Sequence, residues 1–141
     1  MRVLITGSDG FIGKNLVIRL NELDIHVEKY TRKNSIKDLP NLIRDVDCIV
    51  HLAGENRPKD EKDFDVVNAG LTTSICNAVR SSGENIPIIL ASSTQAELDN
   101  AYGKSKLDAE VAVKVLEIDT GCPVSVSYTH LRAHETVLDL V

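Results

Sequence analysis

The stretch TGSDGFIG, residues 6–13, decides the fold of this chain. Its glycines follow the apolar run RVLIT (2–6) and precede a segment whose apolar residues recur with a helical period. Glycines placed in this way between a buried strand and a helix indicate a dinucleotide-binding turn. They permit a tight turn, let the backbone approach a pyrophosphate and let the helix pack closely on the sheet. The residues expected at the phosphates are those of the turn and the first helical residues: Gly7, Gly10, Phe11, Ile12 and Gly13.

Apolar runs and helical periods alternate along the rest of the chain. Further strands are predicted at 25–30, 48–54, 86–92 and from 123, and helices at 11–23, 60–82 and 102–118. Because these strands are apolar throughout, they indicate a parallel sheet that is covered on both faces. The expected fold class is therefore α/β, a doubly wound parallel sheet of the Rossmann-like NAD(P)-binding kind. Ligands of such sheets bind at the carboxyl ends of the strands.

The bulk composition excludes several classes of function. The 141 residues suffice for one domain, and the net charge of −5 comes without a basic cluster, so a nucleic acid partner is not expected. No apolar run approaches the ~20 residues of a membrane span, and none at the start resembles a signal peptide. The three cysteines show neither metal-ligand spacing nor a disulfide pattern. A cytoplasmic protein is the expectation.

The end of the second strand bears on the choice of dinucleotide. An acidic residue there holds the ribose 2′-hydroxyl of NAD, whereas a nearby arginine accommodates the 2′-phosphate of NADP. In VEKYTRK (27–33), Glu28 falls within the strand, and Arg32 and Lys33 stand at its tip. We therefore expect NADPH, bound in part by Arg32, rather than NADH. The alternative is that both basic residues are solvated loop charges.

A tyrosine and a lysine with YxxxK spacing lie on the last predicted helix. Tyr102 and Lys106 are four residues apart, so they share one helical face with Cβ atoms about 6 Å apart. A free tyrosine titrates near 10, and a nearby ammonium stabilises its phenolate. Tyr102 is therefore the candidate general acid that protonates a carbonyl oxygen as hydride reaches the carbon. Lys106 is also expected to hold the ribose hydroxyls, and both residues to contact the cofactor.

The glycine turn and the YxxxK pair together resemble the extended short-chain dehydrogenase/reductase superfamily, the NAD-dependent epimerase/dehydratase family. HLAG (51–54) matches the strand end whose backbone lines the nicotinamide pocket, and VNAGLTTS (67–74) its Asn-x-x-Gly-Thr helix. ASSTQ (91–95) matches the station of the catalytic serine or threonine. The resemblance implies backbone contacts to the cofactor from Leu52, Ala53 and Gly54. It also implies a catalytic role for Ser93, with Ser92 and Thr94 as alternatives.

Two stretches, HLAGENRPKDEKDF (51–64) and SSTQAELDNAYGKSK (92–106), are similar to reductases of 4-keto UDP-sugars. Those enzymes lead to UDP-N-acetyl-L-fucosamine for bacterial capsule and O-antigen. The resemblance implies an NADPH-dependent reductase with a UDP-sugar substrate, which Arg57-Pro58 could reach, and a possible homodimer in the complete protein. The alternatives are a nucleotide-sugar epimerase or dehydratase, and an NADPH-binding module without turnover. Thr94-Gln95 lacks the acid that dehydratases often carry, which favours reduction.

The last residues have a different origin in our interpretation. VSYTHLRAHETVLDLV (126–141) resembles a translated reading frame of a transposon-type sequencing adapter. We therefore predict an NAD(P)-binding domain over 1–125, as a fragment inactive or nearly so alone, and a non-native tail over 126–141. His130, His134 and Glu135 fall in that tail, so no metal site is expected. The remaining histidines, His26 and His51, are expected to be ordinary strand residues.

Overall fold

The computed structural model describes residues 1–54 and 65–129. The predictions for Arg57-Pro58 and for the histidines of 130–141 lie outside these residues.

Five parallel strands form the central sheet, in the order β2-β1-β3-β4-β5. Their bounds are Arg2–Thr6 (β1), His26–Tyr30 (β2), Cys48–His51 (β3), Ile88–Ser93 (β4) and Val124–Thr129 (β5). Strands β1, β3 and β4 are short, largely apolar runs, whereas the two outer strands β2 (HVEKY) and β5 (VSVSYT) carry polar residues, so the prediction that the strands are apolar throughout is wrong for these two. Strand β1 lies between β2 and β3, so the chain reverses its direction of winding there. The crevice at this reversal is where doubly wound sheets bind their ligands.

Helices connect the strands on both sides of the sheet. The α-helices span Phe11–Glu22 (α1), Leu39–Leu42 (α2), Leu71–Ser82 (α3) and Ala101–Thr120 (α4). Two turns of 3₁₀-helix, Ile36–Asp38 and Thr94–Glu97, precede α2 and α4, and a turn of π-helix, Asp65–Gly70, runs directly into α3. In the part of the chain that the structure describes, no helix is both long and apolar enough to cross a membrane.

Helices pack on both faces of the sheet, which confirms the doubly wound prediction, although α1 covers its face only around β1 and leaves Ile89 of β4 exposed. On one face, Leu4, Ile49 and Ile88 pack in a single core with the residues of α3 and α4. On the other face, Val3 and Ile5 pack against Val17 of α1. Adjacent residues of β1 thus point into different cores, as the two-residue repeat of a strand requires.

The helix predicted over 60–82 is not uniform where it is described. Its residues 65–70 form the π-helical turn, and the α-helix begins only at Leu71. The Thr72 hydroxyl donates to the Asn68 carbonyl oxygen over 2.5 Å. In an α-helix this oxygen would accept from the Thr72 amide. Turns of π-helix are frequently found at functional sites.

The start of α4 is held against the end of β4. The Asn100 side chain caps the helix by accepting from the Gly103 amide at 2.7 Å. A Cβ at Gly103 would overlap the carbonyl oxygens of Gln95 and Leu98, so only glycine lets the helix approach so closely. This contact places Tyr102 beside the last residues of β4.

Strand β5 pairs with β4 along its whole length. The pairs run from Val124 opposite Ile88 to Thr129 opposite Ser93. The domain boundary predicted after residue 125 therefore falls within β5 of the structure.

Candidate active site

Two adjoining cavities lie at the carboxyl ends of β1, β3 and β4. The first, here the central cavity, has a volume of about 340 Å³ and is lined by the glycine turn, the end of β3 and α4. The second, here the outer cavity, has a volume of about 370 Å³ and extends from the same turn to the loop after β2. Gly7, Gly10, Leu52 and Gly54 line both, so the two form one continuous cleft.

Most of the predicted site residues meet in this cleft. The predicted residues that line the central cavity are Gly7, Gly10, Phe11, Ile12, Gly13, Leu52, Gly54, Tyr102 and Lys106. Ala53 and Arg32 line the outer cavity. The structure therefore brings together residues that are up to 99 positions apart in sequence.

The glycine turn is packed so tightly that side chains are excluded from it. Gly7 has a φ of +70°, which L side chains rarely adopt, and a Cβ there would lie 2.7 Å from the Ala53 amide nitrogen. A Cβ at Gly13 would overlap the Gly7 carbonyl oxygen. These two positions account for the tight turn and the close helix–sheet packing that the sequence predicts.

The N-terminus of α1 has the chemistry of an anion site. No side chain in the described part of the chain caps the helix, and its first turn contains no acidic residue. The first N–H groups of a helix have no partner within the helix and favour negative charge. Nearby, the buried Ser8 hydroxyl has no hydrogen-bond partner among the described residues. The turn thus fits a dinucleotide pyrophosphate, which would accept from these donors.

The outer cavity brings the basic tip of β2 to the glycine turn. Arg32 and Lys33 line it together with Asp9, Tyr30 and Asn34. The loop is held by the Asn34 side chain, which accepts from the Thr31 amide at 2.8 Å. The sequence analysis did not single out Asp9. Its carboxylate could accept from ribose hydroxyls on the same side of the cleft as the two basic residues.

Tyr102 and Lys106 lie together in the central cavity. The Lys106 ammonium lies 5.8 Å from the centroid of the Tyr102 ring. Lys106 is only 9% exposed. Burial lowers the pKa of Lys106 from its ordinary value, and the charge of Glu110 opposes this shift. A Cβ at Gly54 would lie 2.8 Å from the Lys106 nitrogen, so the glycine at this position makes room for the ammonium.

The end of β4 presents two buried serines with different partners. Ser92 lines the central cavity with Tyr102 and Lys106. Its hydroxyl donates to a Glu110 carboxylate oxygen at 2.5 Å. The Ser93 hydroxyl accepts from the Gln95 amide at 3.1 Å and so caps the 3₁₀ turn. Ser93 stays a prediction, and among its alternatives the lining of the central cavity favours Ser92.

A buried chain of hydrogen bonds centred on His51 lies beneath the cleft. The Thr72 hydroxyl donates its proton to the Asn68 carbonyl, so it accepts from His51 Nε2 at 2.8 Å. The other ring nitrogen, Nδ1, therefore accepts from the Thr6 hydroxyl at 2.6 Å. Thr6 in turn accepts from the Ala53 amide at 3.1 Å. His51 thus connects β1, β3 and the π-helical turn, a role that the sequence analysis did not assign to it.

Burial keeps this histidine neutral. His51 has its pKa lowered to about 3, first by burial and then by the nearby Lys106 charge. It can therefore act as a fixed donor and acceptor at neutral pH, and it adds no positive charge beside Lys106.

A second set of bonds joins the π-helical turn to α4. The Asn68 amide donates to the Ser105 hydroxyl at 3.0 Å, which donates to the Tyr102 carbonyl at 2.8 Å. Asn68 belongs to the motif VNAGLTTS, to which the sequence analysis assigned no contact. The signal was present in the motif, but its partner lies 37 residues away.

The comparison with protein families finds a match over nearly all of the described chain. Residues 3–125 match the NAD dependent epimerase/dehydratase family. UDP-2-acetamido-2,6-beta-L-arabino-hexul-4-ose reductase from Pseudomonas aeruginosa is 51% identical over 125 residues. These residues cover 88% of this chain and 34% of the reductase, so the chain spans about a third of that protein's length.

Solved structures show the same fold. The capsular polysaccharide assembling protein CapF from Staphylococcus aureus is 30% identical with a TM-score of 0.76, and the match covers 99% of this chain and 40% of CapF. UDP-glucuronic acid 4-epimerase from Bacillus cereus, in complex with NAD, is 20% identical with a TM-score of 0.78. That match covers 92% of this chain and 57% of the epimerase.

Proposed function

The chain belongs to the NAD dependent epimerase/dehydratase family, and on that premise we propose that it acts in the NADPH-dependent reduction of a 4-keto UDP-sugar. The observation that carries the proposal is the meeting of Tyr102 and Lys106 with the glycine turn in one cavity. The 51% identity to a reductase whose name specifies a UDP-linked hexul-4-ose supports the substrate class. A nicotinamide cofactor, when bound, supplies the hydride for such a reduction.

The residues of the cleft have different roles in this reaction. Tyr102 donates its phenolic proton to the oxygen of the ketone as the carbon is reduced. Lys106, held in the cavity by its buried stem, stabilises the phenolate that remains. A serine hydroxyl at the end of β4, from Ser92 or Ser93, donates to the same ketone oxygen and orients it. The glycine turn and the start of α1 hold the pyrophosphate.

The preference for NADPH rests on the outer cavity. Arg32 and Lys33 line it at the tip of β2, where the 2′-phosphate of NADPH would meet positive charge. Glu28, the acidic residue of β2, pairs with Arg2 at 2.8 Å within the sheet. NADH lacks the 2′-phosphate and would gain nothing from Arg32.

Reduction is favoured over the related reactions of the family by the residues after Ser93. Thr94 and Gln95 follow it, and neither can serve as the additional acid that a dehydration requires. A binding module without turnover would have no use for a proton donor. The buried Lys106 beside Tyr102 therefore favours an enzyme, and the sequence resemblance implies the UDP-N-acetyl-L-fucosamine route.

We further propose that the protein forms a homodimer through α4. Apolar side chains are exposed along one face of this helix: Leu107, Val111, Val115 and Ile118, the last 81% exposed. Their spacing of four, four and three residues is that of a single helical stripe. A second copy of the same stripe would cover it in an isologous contact.

The division of the chain at residue 125 is also a proposal. The family match ends at residue 125, which supports a cofactor-binding domain over 1–125. Resequencing the source DNA across codons 120–141 with a chemistry that uses no such adapter tests the origin of 126–141. The same VSYTHLRAHET codons in that read would contradict the adapter interpretation.

Cofactor binding and ketone reduction test the proposed function in turn. Titration of the chain with NADPH and NADH, followed by nicotinamide fluorescence, is expected to show tighter binding of NADPH. Addition of a 4-keto UDP-sugar to the complete protein is then expected to consume NADPH and to yield the 4-hydroxy sugar, identified by mass spectrometry. A chain that binds neither dinucleotide would contradict the proposal at its first step.

A further inference from the structure

We infer that Glu110 is a positioning residue of this site, which holds the Ser92 hydroxyl in the central cavity and places a negative charge beside Lys106. The inference rests on the proposed function for its effect on turnover, but its structural part stands on contacts of this chain alone.

The first observation is the position of Glu110 on α4. Tyr102, Lys106 and Glu110 follow one another at intervals of four residues, so they lie along one face of the helix. That face lines the central cavity through its first two members. Glu110 stands one turn further along, half-buried between α4 and the sheet.

The second observation is the contact between Glu110 and β4. One carboxylate oxygen accepts from the Ser92 hydroxyl at 2.5 Å. A hydroxyl that donates to an ionised carboxylate is held more strongly than one that donates to a neutral acceptor. With its proton directed at Glu110, the Ser92 oxygen presents its lone pairs elsewhere. The serine can then accept from a neighbouring donor, and it can donate to a ligand only when its bond to Glu110 is broken.

The third observation is the charge that Glu110 contributes. Lys106 is buried, and burial disfavours its ammonium form. Glu110 acts in the opposite direction on the pKa of Lys106. Within residues 1–54 and 65–129, the other titratable groups that face Lys106 are Tyr102 on its own helix and His51 on β3, and His51 is neutral. Glu110 is thus the negative charge that helps to keep the Lys106 side chain protonated.

Glu110 also contacts Tyr128, but this contact does not explain why Glu110 lies next to Ser92 and Lys106. The second carboxylate oxygen accepts from the exposed Tyr128 hydroxyl at 3.2 Å. Tyr128 lies at the exposed end of the face of β5 that packs against α4, in the segment predicted to be non-native, so the inference does not depend on this bond. The contact with Ser92 and the charge beside Lys106 carry the inference.

Lysine titration tests the electrostatic part without cofactor or substrate. The full chain, labelled at lysine Cε, is titrated by NMR, and the Lys106 signal is assigned by its loss in Lys106→Met. In Glu110→Gln we expect the pKa of Lys106 to fall further below its wild-type value, and Glu110→Asp to restore it. Asp108→Asn removes an exposed charge from the opposite side of the same helix and serves as the matched control. Equal Lys106 titrations in the wild type and Glu110→Gln would overturn the inference.

A double-mutant cycle tests the contact with Ser92. Urea unfolding of Ser92→Ala, Glu110→Ala and the double variant is expected to be non-additive, because each single change breaks the same hydrogen bond. Additive losses would overturn the positioning of Ser92. In a chain that reduces the ketone, Glu110→Gln is expected to lower kcat about 10- to 100-fold with little change in KM. A chain that binds no dinucleotide would disprove the proposed function, and the titration and the cycle would still decide the role of Glu110.

Discussion

Tyr102 and Lys106 lie one turn apart on α4, with the Lys106 ammonium 5.8 Å from the centre of the Tyr102 ring. The ammonium is buried, and the glycine at position 54 leaves room for it. A solvated lysine would be screened by water, whereas a buried one acts on the phenol at short range. This relationship distinguishes the pair from a YxxxK spacing that occurs by chance on a solvated helix.

Replacement of Tyr102 by phenylalanine removes the proton donor and leaves the shape of the cavity almost unchanged. In the complete protein we expect turnover of a 4-keto UDP-sugar to fall about 100- to 10,000-fold, the usual contribution of a general acid. The dissociation constant for NADPH, measured by fluorescence titration, is expected to stay close to that of the wild type. Unchanged turnover in Tyr102→Phe would remove this residue from the mechanism.

Replacement of Arg32 by alanine is expected to weaken the binding of NADPH and not that of NADH. NADPH affinity should fall about 10- to 100-fold, because a charge-assisted contact with the 2′-phosphate is lost. NADH affinity should be unaffected. Lys37→Ala removes an exposed positive charge a few residues along the chain and is the matched control. If both cofactors lost affinity equally in Arg32→Ala, the 2′-phosphate assignment would be wrong.

Single alanine replacements of Ser92 and Ser93 distinguish the two candidate hydroxyls. If Ser92 orients the ketone, Ser92→Ala is expected to lower kcat strongly. Ser93→Ala would then act chiefly on stability, through the lost cap of the 3₁₀ turn, at a cost of about 1 kcal/mol. The comparison needs kcat and urea unfolding for both variants. A loss of kcat in Ser93→Ala alone would assign the role to Ser93.

The buried His51 predicts a specific loss of stability in acid. Its pKa is lowered to about 3 in the folded chain, whereas an unfolded histidine titrates near 6.5. Between these values the unfolded state binds one more proton, so the free energy of unfolding falls as pH falls through this window. The slope from this residue is at most about 1.4 kcal/mol per pH unit.

Urea unfolding between pH 4 and 7 checks this slope, because the range covers about 2.5 pH units of the window. His51→Gln is expected to flatten the dependence. His26→Gln is the matched control, because His26 is exposed at the edge of the sheet. A slope that persists in His51→Gln would show that other groups cause the acid sensitivity.

The exposed stripe of α4 predicts self-association. Sedimentation equilibrium is expected to show a dimer that Val111→Glu dissociates, since a charge at the centre of an apolar contact is costly. Ile18→Glu places the same charge on an equally exposed apolar site of α1 and should leave the dimer intact. A wild-type chain that sediments as a monomer at all concentrations would contradict the homodimer.

Much of the fold could be predicted because its signals are local. The strand over residues 2–6 was predicted with its observed bounds, and the glycine turn could be interpreted because strand, turn and helix are contiguous. The two-residue and 3.6-residue periods, together with the glycines, are properties of short segments. They suffice for the parallel sheet, the cleft at its carboxyl edge and the sharing of one helical face by Tyr102 and Lys106.

The tertiary structure alone decided which polar side chains meet. Ser92 and Ser93 are neighbours in sequence, but the pleat of β4 directs them to different partners, and a shift of one residue would exchange them. Glu110 resembles any helical acid until α4 is packed against β4, and His51 resembles any strand residue until Thr6 and Thr72 enclose its ring. These contacts join residues from 18 to 45 positions apart in sequence. The sequence by itself therefore determined the helices and strands of this protein and their order. Tertiary packing decided which hydrogen bonds form at its site.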